Sequence, residues 1–193
     1  IPVKEGKDFD SDYPFKGNLD ITLLQQLIKK HGKNIAAVIV TVTNNSGGGQ
    51  PVSMENMKAV SALCKKNKLL CILDCCRVAE NAYFIKHREK AYANHSYRQI
   101  AQQMFALADG AIMSAKKDAL VNMGGFLAVA DKKLADACMN LLIITEGFST
   151  YGGLSGRDME AIAVGLKEVF DDDYLNYRIK STAYLGDRIK QHG

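Results

Sequence analysis

No apolar run in this chain comes near the length of a membrane span. The longest, Ile35 to Val40 and Leu69 to Leu73, fall far short of the roughly 20 residues a helix needs to cross a bilayer. Charge of one sign is also scarce. The 25 Lys and Arg against 21 Asp and Glu leave a formal charge of +4. Clusters such as Lys65-Lys66-Asn67-Lys68 come without an arginine or aromatic stripe, which argues against a nucleic-acid face. The five cysteines show no CxxC spacing and no histidine pair beside them, so a zinc site is not expected. Cys71, Cys75 and Cys76 instead fall on or beside one hydrophobic stretch, as small buried thiols of a reducing, cytoplasmic compartment do. The triplet Gly47-Gly48-Gly49 lacks both GxGxxG spacing and a GK[ST] ending, which sets aside a nucleotide cradle. Internal repeats and low-complexity linkers are missing too. The chain starts at Ile1 without a methionine or a signal-peptide pattern and reads as an excerpt or a processed product.

What is present fits one domain. A length of 193 residues with 47% apolar content is enough for a proper core. Strand and helix patterns alternate. Ile35 to Thr43 is a β-branched run, as expected of a strand covered on both faces; Leu69 to Leu73, Gly110 to Ser114 and Gly124 to Ala130 are three further strands. Helices are expected over Ile21 to Lys30, closed by Gly32, and from Met54, capped by Ser53. Met54, Met57, Val60 and Leu63-Cys64 share one face of the latter and read as core. Further helices cover Ala79 to Tyr92, Tyr97 to Ala108, Lys132 to Leu142, Met159 to Phe170 and Asp173 to Lys190. This order predicts a three-layer α/β fold, its sheet mostly parallel with helices on both faces.

In such sheets ligands bind beyond the carboxyl ends of the strands. Three strand ends carry polar groups together: Asn45 opens a glycine-rich turn, Asp74-Cys75-Cys76-Arg77 closes the second run, and Ser114-Ala115-Lys116-Lys117-Asp118 closes the third. A lysine at the end of a buried strand is costly to desolvate, and it is where an enzyme places an amine that must attack a carbonyl or hold a Schiff base. Pyridoxal phosphate (PLP) chemistry needs this set. A lysine holds the cofactor, a carboxylate keeps its pyridine nitrogen protonated, and further polar groups hold its ring oxygen and phosphate. Those roles fall to Lys117, to Asp74, to Asn45 with Arg77, and to Ser114 with Lys116. Tyr83 and Phe84 read as core, and His31, His87, His95 and His192 as surface residues. Tyr151 serves either a site or its own turn, while Arg157 and Asp158 either pair on the surface or cap a helix.

The strings Asn45-Ser-Gly-Gly-Gly-Gln-Pro-Val-Ser53, Glu80-Asn-Ala-Tyr-Phe-Ile-Lys86, Met113-Ser-Ala-Lys-Lys-Asp118, Met123-Gly-Gly125 and Tyr151-Gly-Gly-Leu-Ser-Gly-Arg-Asp-Met-Glu-Ala161 closely resemble the tryptophanase and tyrosine phenol-lyase family. The resemblance runs over essentially the whole chain. It implies a PLP-dependent β-eliminating lyase of the aspartate-aminotransferase fold (fold type I), with residues 1–193 as the central part of the PLP-binding large domain. Lys117 would carry the cofactor and Lys116 lie by the phosphate. Asp74 would face the pyridine nitrogen, Arg77 and Asn45 the ring oxygen, and Ser114 the phosphate. A monovalent cation, potassium, would take the backbone carbonyl of Asn122.

The implied reaction splits tyrosine to phenol, or tryptophan to indole, plus pyruvate and ammonia. Lys117 would remove the substrate α-proton, and protonation of the aromatic ring would make it a leaving group. Asn122 to Phe126 and Gly156 to Ala161 side with tyrosine phenol-lyase, Ala79 to Asn81 and Ser114 to Lys116 with tryptophanase; the balance leans to tyrosine. Full-length members are much longer and supply a phosphate loop, a stacking aromatic and a carboxylate-binding arginine from other segments. This chain is therefore expected to hold most of the cofactor floor without a complete pocket, and to form a homodimer or homotetramer. Two other readings stay open: another fold-type-I PLP enzyme, such as an aminotransferase or cystathionine lyase, and an inactive remnant that serves as an interaction domain.

Overall fold

The β-branched run after Ile35 does form a strand, but a shorter one. In the computed structural model, which describes residues 1–8, 10–148 and 153–192, strand β1 spans Ala37–Thr41. Val38 and Val40 point into the core, whereas Ile39 on the other face is 55% exposed. The expectation of a strand covered on both faces thus holds for one face only. Strands β2 (Leu70–Asp74), β3 (Gly110–Ser114) and β4 (Gly125–Val129) complete a sheet of order β1-β2-β3-β4. The first three run parallel and β4 runs antiparallel to β3. Gly110 is required where these last two meet, because a Cβ there would press on the Ala128 carbonyl at 2.8 Å.

The described residues form seven α-helices around this sheet, and several of their boundaries follow from side chains that satisfy free N–H groups. Asp20 caps α1 (Ile21–His31) by accepting from Leu23 N–H at 2.9 Å, and Ser53 caps α2 (Met54–Asn67) by accepting from Asn56 N–H at 3.0 Å. Next comes α3 (Val78–Arg88), which stops four residues short of the expected Tyr92. The reason is Glu89, whose carboxylate accepts the Met54 N–H at 2.6 Å and whose backbone turns extended. Helix α4 (Tyr97–Ala106) opens with a capping box between Ser96 and Gln99. Helices α5 (Lys132–Glu146), α6 (Gly156–Glu168) and α7 (Asp172–His192) follow β4. Ser155 caps α6 and its hydroxyl donates to Asp158, so Asp158 belongs to the helix start. Tyr151 lies outside the described residues.

The core sits between β1–β3 and helices α2, α3 and α4. Met54, Met57, Val60 and Cys64 of α2 are buried, as their spacing predicts. Each such side chain contributes about 1.5–3 kcal/mol on leaving water. Tyr83 is buried and stacks on Tyr97 at 5.7 Å. His95 departs from expectation: it is half-buried against the Tyr92 ring at 5.4 Å. One polar contact stitches the interior. Asn81, wholly buried, accepts from Val52 N–H at 2.8 Å and donates to Val52 C=O at 2.9 Å. It thereby pins the end of the glycine-rich turn to α3. Among the described residues no helix is long and apolar enough to cross a membrane.

Candidate active site

The parallel register levels the carboxyl ends of three strands. Thr41 stands opposite Asp74, and Asp74 opposite Ile112. The segments leaving β1, β2 and β3 therefore emerge along one edge of the sheet, where sheets of this kind gather their ligands. Asn45 is in the turn after β1, Arg77 opens α3 after β2, and Ser114 to Lys117 end β3 and begin its loop. Asn122 lies later in that loop, which returns into β4 opposite Ser114. All seven candidates reach this edge. Asp74, Arg77, Ser114 and Lys117 are half-buried, while Asn45, Lys116 and Asn122 are exposed.

The three segments are tied to one another. Thr41 Oγ1 donates to Asp74 Oδ2 at 3.4 Å, and the Cys76 N–H donates to Asp74 Oδ1 at 3.3 Å. Both carboxylate oxygens are thus held from the protein side. The Thr43 hydroxyl donates to the Arg77 carbonyl at 2.9 Å. Thr43 does this from a left-handed backbone, φ 45°, a conformation unusual for a β-branched residue and one that concentrates at functional sites. From the third segment, Ser114 N–H donates to Cys76 Sγ at 3.1 Å, and Asp118 N–H donates to the Cys76 carbonyl at 3.2 Å.

The buried charge in the third segment is neither of its lysines. Lys116 points to solvent and Lys117 is half-exposed, because long side chains at a strand end can carry their ammonium groups outward. Asp118 is the group wholly removed from solvent. Its Oδ2 accepts the Ala79 N–H at 2.7 Å and its Oδ1 accepts from Arg178 Nη1 at 3.0 Å, while Arg178 Nη2 pairs with Glu80. Burial pushes the Asp118 carboxyl up to about 6 in spite of the guanidinium. Arg178 loses hydration as well, but the two carboxylates more than offset that and raise its pKa.

Sequence reasoning passed over Thr41, Thr43, Glu80, Asp118 and Arg178. Asp118 could have been weighed, since it follows Lys117 directly. Nothing in the local sequence marks Arg178, which is sixty residues away.

Two consequences for chemistry follow. The cysteines beside Asp74 are no nucleophiles: burial pushes the Cys75 thiol up to about 12 and raises that of Cys76, which keeps both protonated at neutral pH. The remaining set is two accessible amines, one carboxylate fixed by two donors, a guanidinium, an amide and a hydroxyl. These residues fit a phosphorylated aromatic aldehyde. A cavity of about 590 Å³ opens along β1, and Thr41, Asn44, Gly47 and Gln50 wall it at the end nearest Asp74.

A family model described as beta-eliminating lyase matches residues 1–193. The chain is 54% identical over 193 residues to a tryptophanase of Salinibacter ruber, covering 100% of this chain and 41% of that relative. It is 47% identical over 190 residues to a tyrosine phenol-lyase of Clostridium tetani, covering 98% and 41%. The chain therefore spans about two fifths of the length of the curated relatives it matches. In fold it is similar to the N-acetylornithine aminotransferase of Stenotrophomonas maltophilia K279a, with a TM-score of 0.57, 16% identity, and coverage of 92% of this chain and 43% of that one. A putative L-allo-threonine aldolase of Listeria monocytogenes is similar at TM-score 0.51 and 17% identity, over 79% and 37%.

Proposed function

Because the chain belongs to the beta-eliminating lyase family, we propose that residues 1–193 form the central, cofactor-bearing part of the large domain of a PLP-dependent carbon–carbon lyase acting on an aromatic amino acid. The observation that carries this reading is the level register of Thr41, Asp74 and Ile112, which brings amines, a fixed carboxylate, a guanidinium and a hydroxyl to one sheet edge. Bound PLP would supply an electron-accepting ring that stabilises a carbanion next to the amino group.

This chain's own residues do the rest. Lys117 would provide the amine that holds the cofactor and would also serve as the base for the substrate α-proton. Asp74, held by Thr41 and the Cys76 N–H, keeps a proton on the pyridine nitrogen. Arg77 and Asn45 bind the ring oxygen, and Ser114 with Lys116 binds the phosphate. A monovalent cation, potassium, would be held at the Asn122 carbonyl.

Identity of 54% to the tryptophanase, against 47% to the tyrosine phenol-lyase, supports tryptophan, whereas the short motifs lean to tyrosine. A cytoplasmic homodimer or homotetramer goes with this function. The exposed apolar side chains Leu141 and Ile144 of α5, and Tyr177 and Leu185 of α7, support such an assembly.

The test uses the protein at its native length. It is titrated with PLP, reduced with borohydride and digested, and the labelled peptide is identified. Tryptophan and tyrosine are then supplied, and indole, phenol and pyruvate are measured. The expected label is on Lys117, with pyruvate formed from an aromatic amino acid. Equal labelling of Lys117→Ala, or no pyruvate from either substrate, overturns the reading.

A further inference from the structure

Three features converge on the loop that follows Lys117. Asp118 lies one residue beyond the amine, and neighbouring Cα atoms are only about 3.8 Å apart. Its carboxylate substitutes for a missing helix cap: the N-cap residue of α3, Arg77, makes no side-chain cap hydrogen bond, and Asp118 Oδ2 takes the Ala79 N–H instead. Ala119 is buried, and a Cβ at Gly165 of α6 would collide with its carbonyl, so the helix and the loop touch backbone to backbone. Leu120, midway along the loop, adopts a left-handed conformation, φ 56°, which surrounding contacts must hold in place.

Arg178 is the cation that lets Asp118 stay in this position. A carboxylate removed from water needs a paired charge with good geometry, and here Nη1 supplies it at 3.0 Å while Nη2 is anchored on Glu80, a residue of α3. Glu80 therefore orients the guanidinium from the same helix that Asp118 caps. Without Arg178 the Asp118 side chain has two courses, to take up a proton or to turn toward solvent. The second course swings the loop and its amine, and reactions that depend on placement lose rate steeply with misplacements of about 1 Å.

From this geometry we propose that Arg178 is a positioning residue: through Asp118 it locks the Lys117 loop onto the start of α3, in register with Asp74 and Arg77. The proposal rests on Lys117 being the residue that holds PLP.

The experiment compares wild type, Arg178→Met, Arg178→Lys and Asp118→Asn at native length, with Arg188→Met of the same helix as control. PLP affinity is measured by titration. Orientation of the bound cofactor is read from its visible circular dichroism per bound molecule at saturation, which a general loss of stability does not change. Arg178→Met is expected to weaken PLP binding at least tenfold and to alter that dichroism. Arg178→Lys, which can face Asp118 but not grip both carboxylates, should fall between Met and wild type, and Arg188→Met should match wild type. Wild-type affinity and dichroism in a folded Arg178→Met overturn the proposal. If that variant fails to fold, wild-type behaviour in both Arg178→Lys and Asp118→Asn overturns it. Borohydride labelling of the wild-type protein separates the two ideas. Label away from Lys117 removes the functional reading itself, whereas label on Lys117 with unaffected variants removes only the role of Arg178.

Discussion

The guanidinium of Arg178 in α7 lies 3.0 Å from the carboxylate of Asp118, joining a helix near the end of the chain to the residue after the candidate amine. Asp118 is inaccessible to solvent and Arg178 mostly so. Removing one member of such a pair leaves an uncompensated charge and destabilises by about 3–5 kcal/mol. Arg178→Met should therefore lower the free energy of urea unfolding by that amount. Adding Asp118→Leu to it should recover part of the loss, because the stranded charge disappears. A single variant that unfolds like wild type would show that the pair contributes nothing.

The same carboxylate makes stability depend on pH. Its folded pKa, about 6, lies above its ordinary value of 3.8, so between these values the folded state binds more proton than the unfolded state. Stability contributed by Asp118 is then full below pH 3.8 and is lost as pH rises through about 6. Wild type should lose stability relative to Asp118→Asn across this window, by on the order of 1–3 kcal/mol in all, and the difference should level off above it. Paired unfolding curves at about pH 4, 5, 6 and 7, which bracket the window, check the sign. A difference that grows with pH in wild type's favour contradicts it.

Helix α6 meets the Lys117 loop without room for a methyl group. A Cβ at Gly165 would strike the Ala119 carbonyl, which is backbone and cannot rotate away. Gly165→Ala is expected to destabilise by about 1–3 kcal/mol, as overpacking does, despite alanine's better helix propensity. Gly186→Ala in α7, where nothing lies within 4 Å, serves as comparison and should stabilise slightly. Thermal unfolding of the two variants side by side decides it; a Gly165→Ala protein as stable as wild type refutes the close contact.

Asn81 holds both backbone groups of Val52. Truncation to alanine leaves a buried N–H and a buried C=O unpaired, at about 1–3 kcal/mol each. Asn81→Ala should thus cost about 2–6 kcal/mol in urea unfolding and free the turn that carries Asn45, raising its susceptibility to limited proteolysis. Unchanged cleavage within residues 44–50 would argue against that tether.

These contacts mark where the sequence could and could not be read. Each described strand was legible in place, because β-branched or apolar runs bounded by Asn, Asp or Gly mark it, although the run from Ile35 to Thr43 overstated the length of β1. The site edge was legible for the same reason: Asp74 and Ser114 end strands, and the parallel order makes those ends neighbours. Helix α3 was overextended because only the fold reveals that Glu89 is occupied at the start of α2. The lysine pair looked like the buried charge, since side-chain reach is invisible in a string of letters; Asp118 takes that place. Arg178 was beyond local reading altogether, for its partners are 60 and 98 residues distant and no pattern on its own helix calls for them.

The level alignment of Thr41, Asp74 and Ile112 has a temporal side. Parallel strands meet only through crossovers of a dozen or more residues, so none of the site's three segments can find the others by local collapse. Before β3 docks, Asp74 has no third strand beside it and Ser114 has no Cys76 sulfur to bond. The edge proposed to hold the cofactor is therefore incomplete until β3 docks, and a ribosome-bound chain that has not yet released Gly110 to Ser114 lacks it.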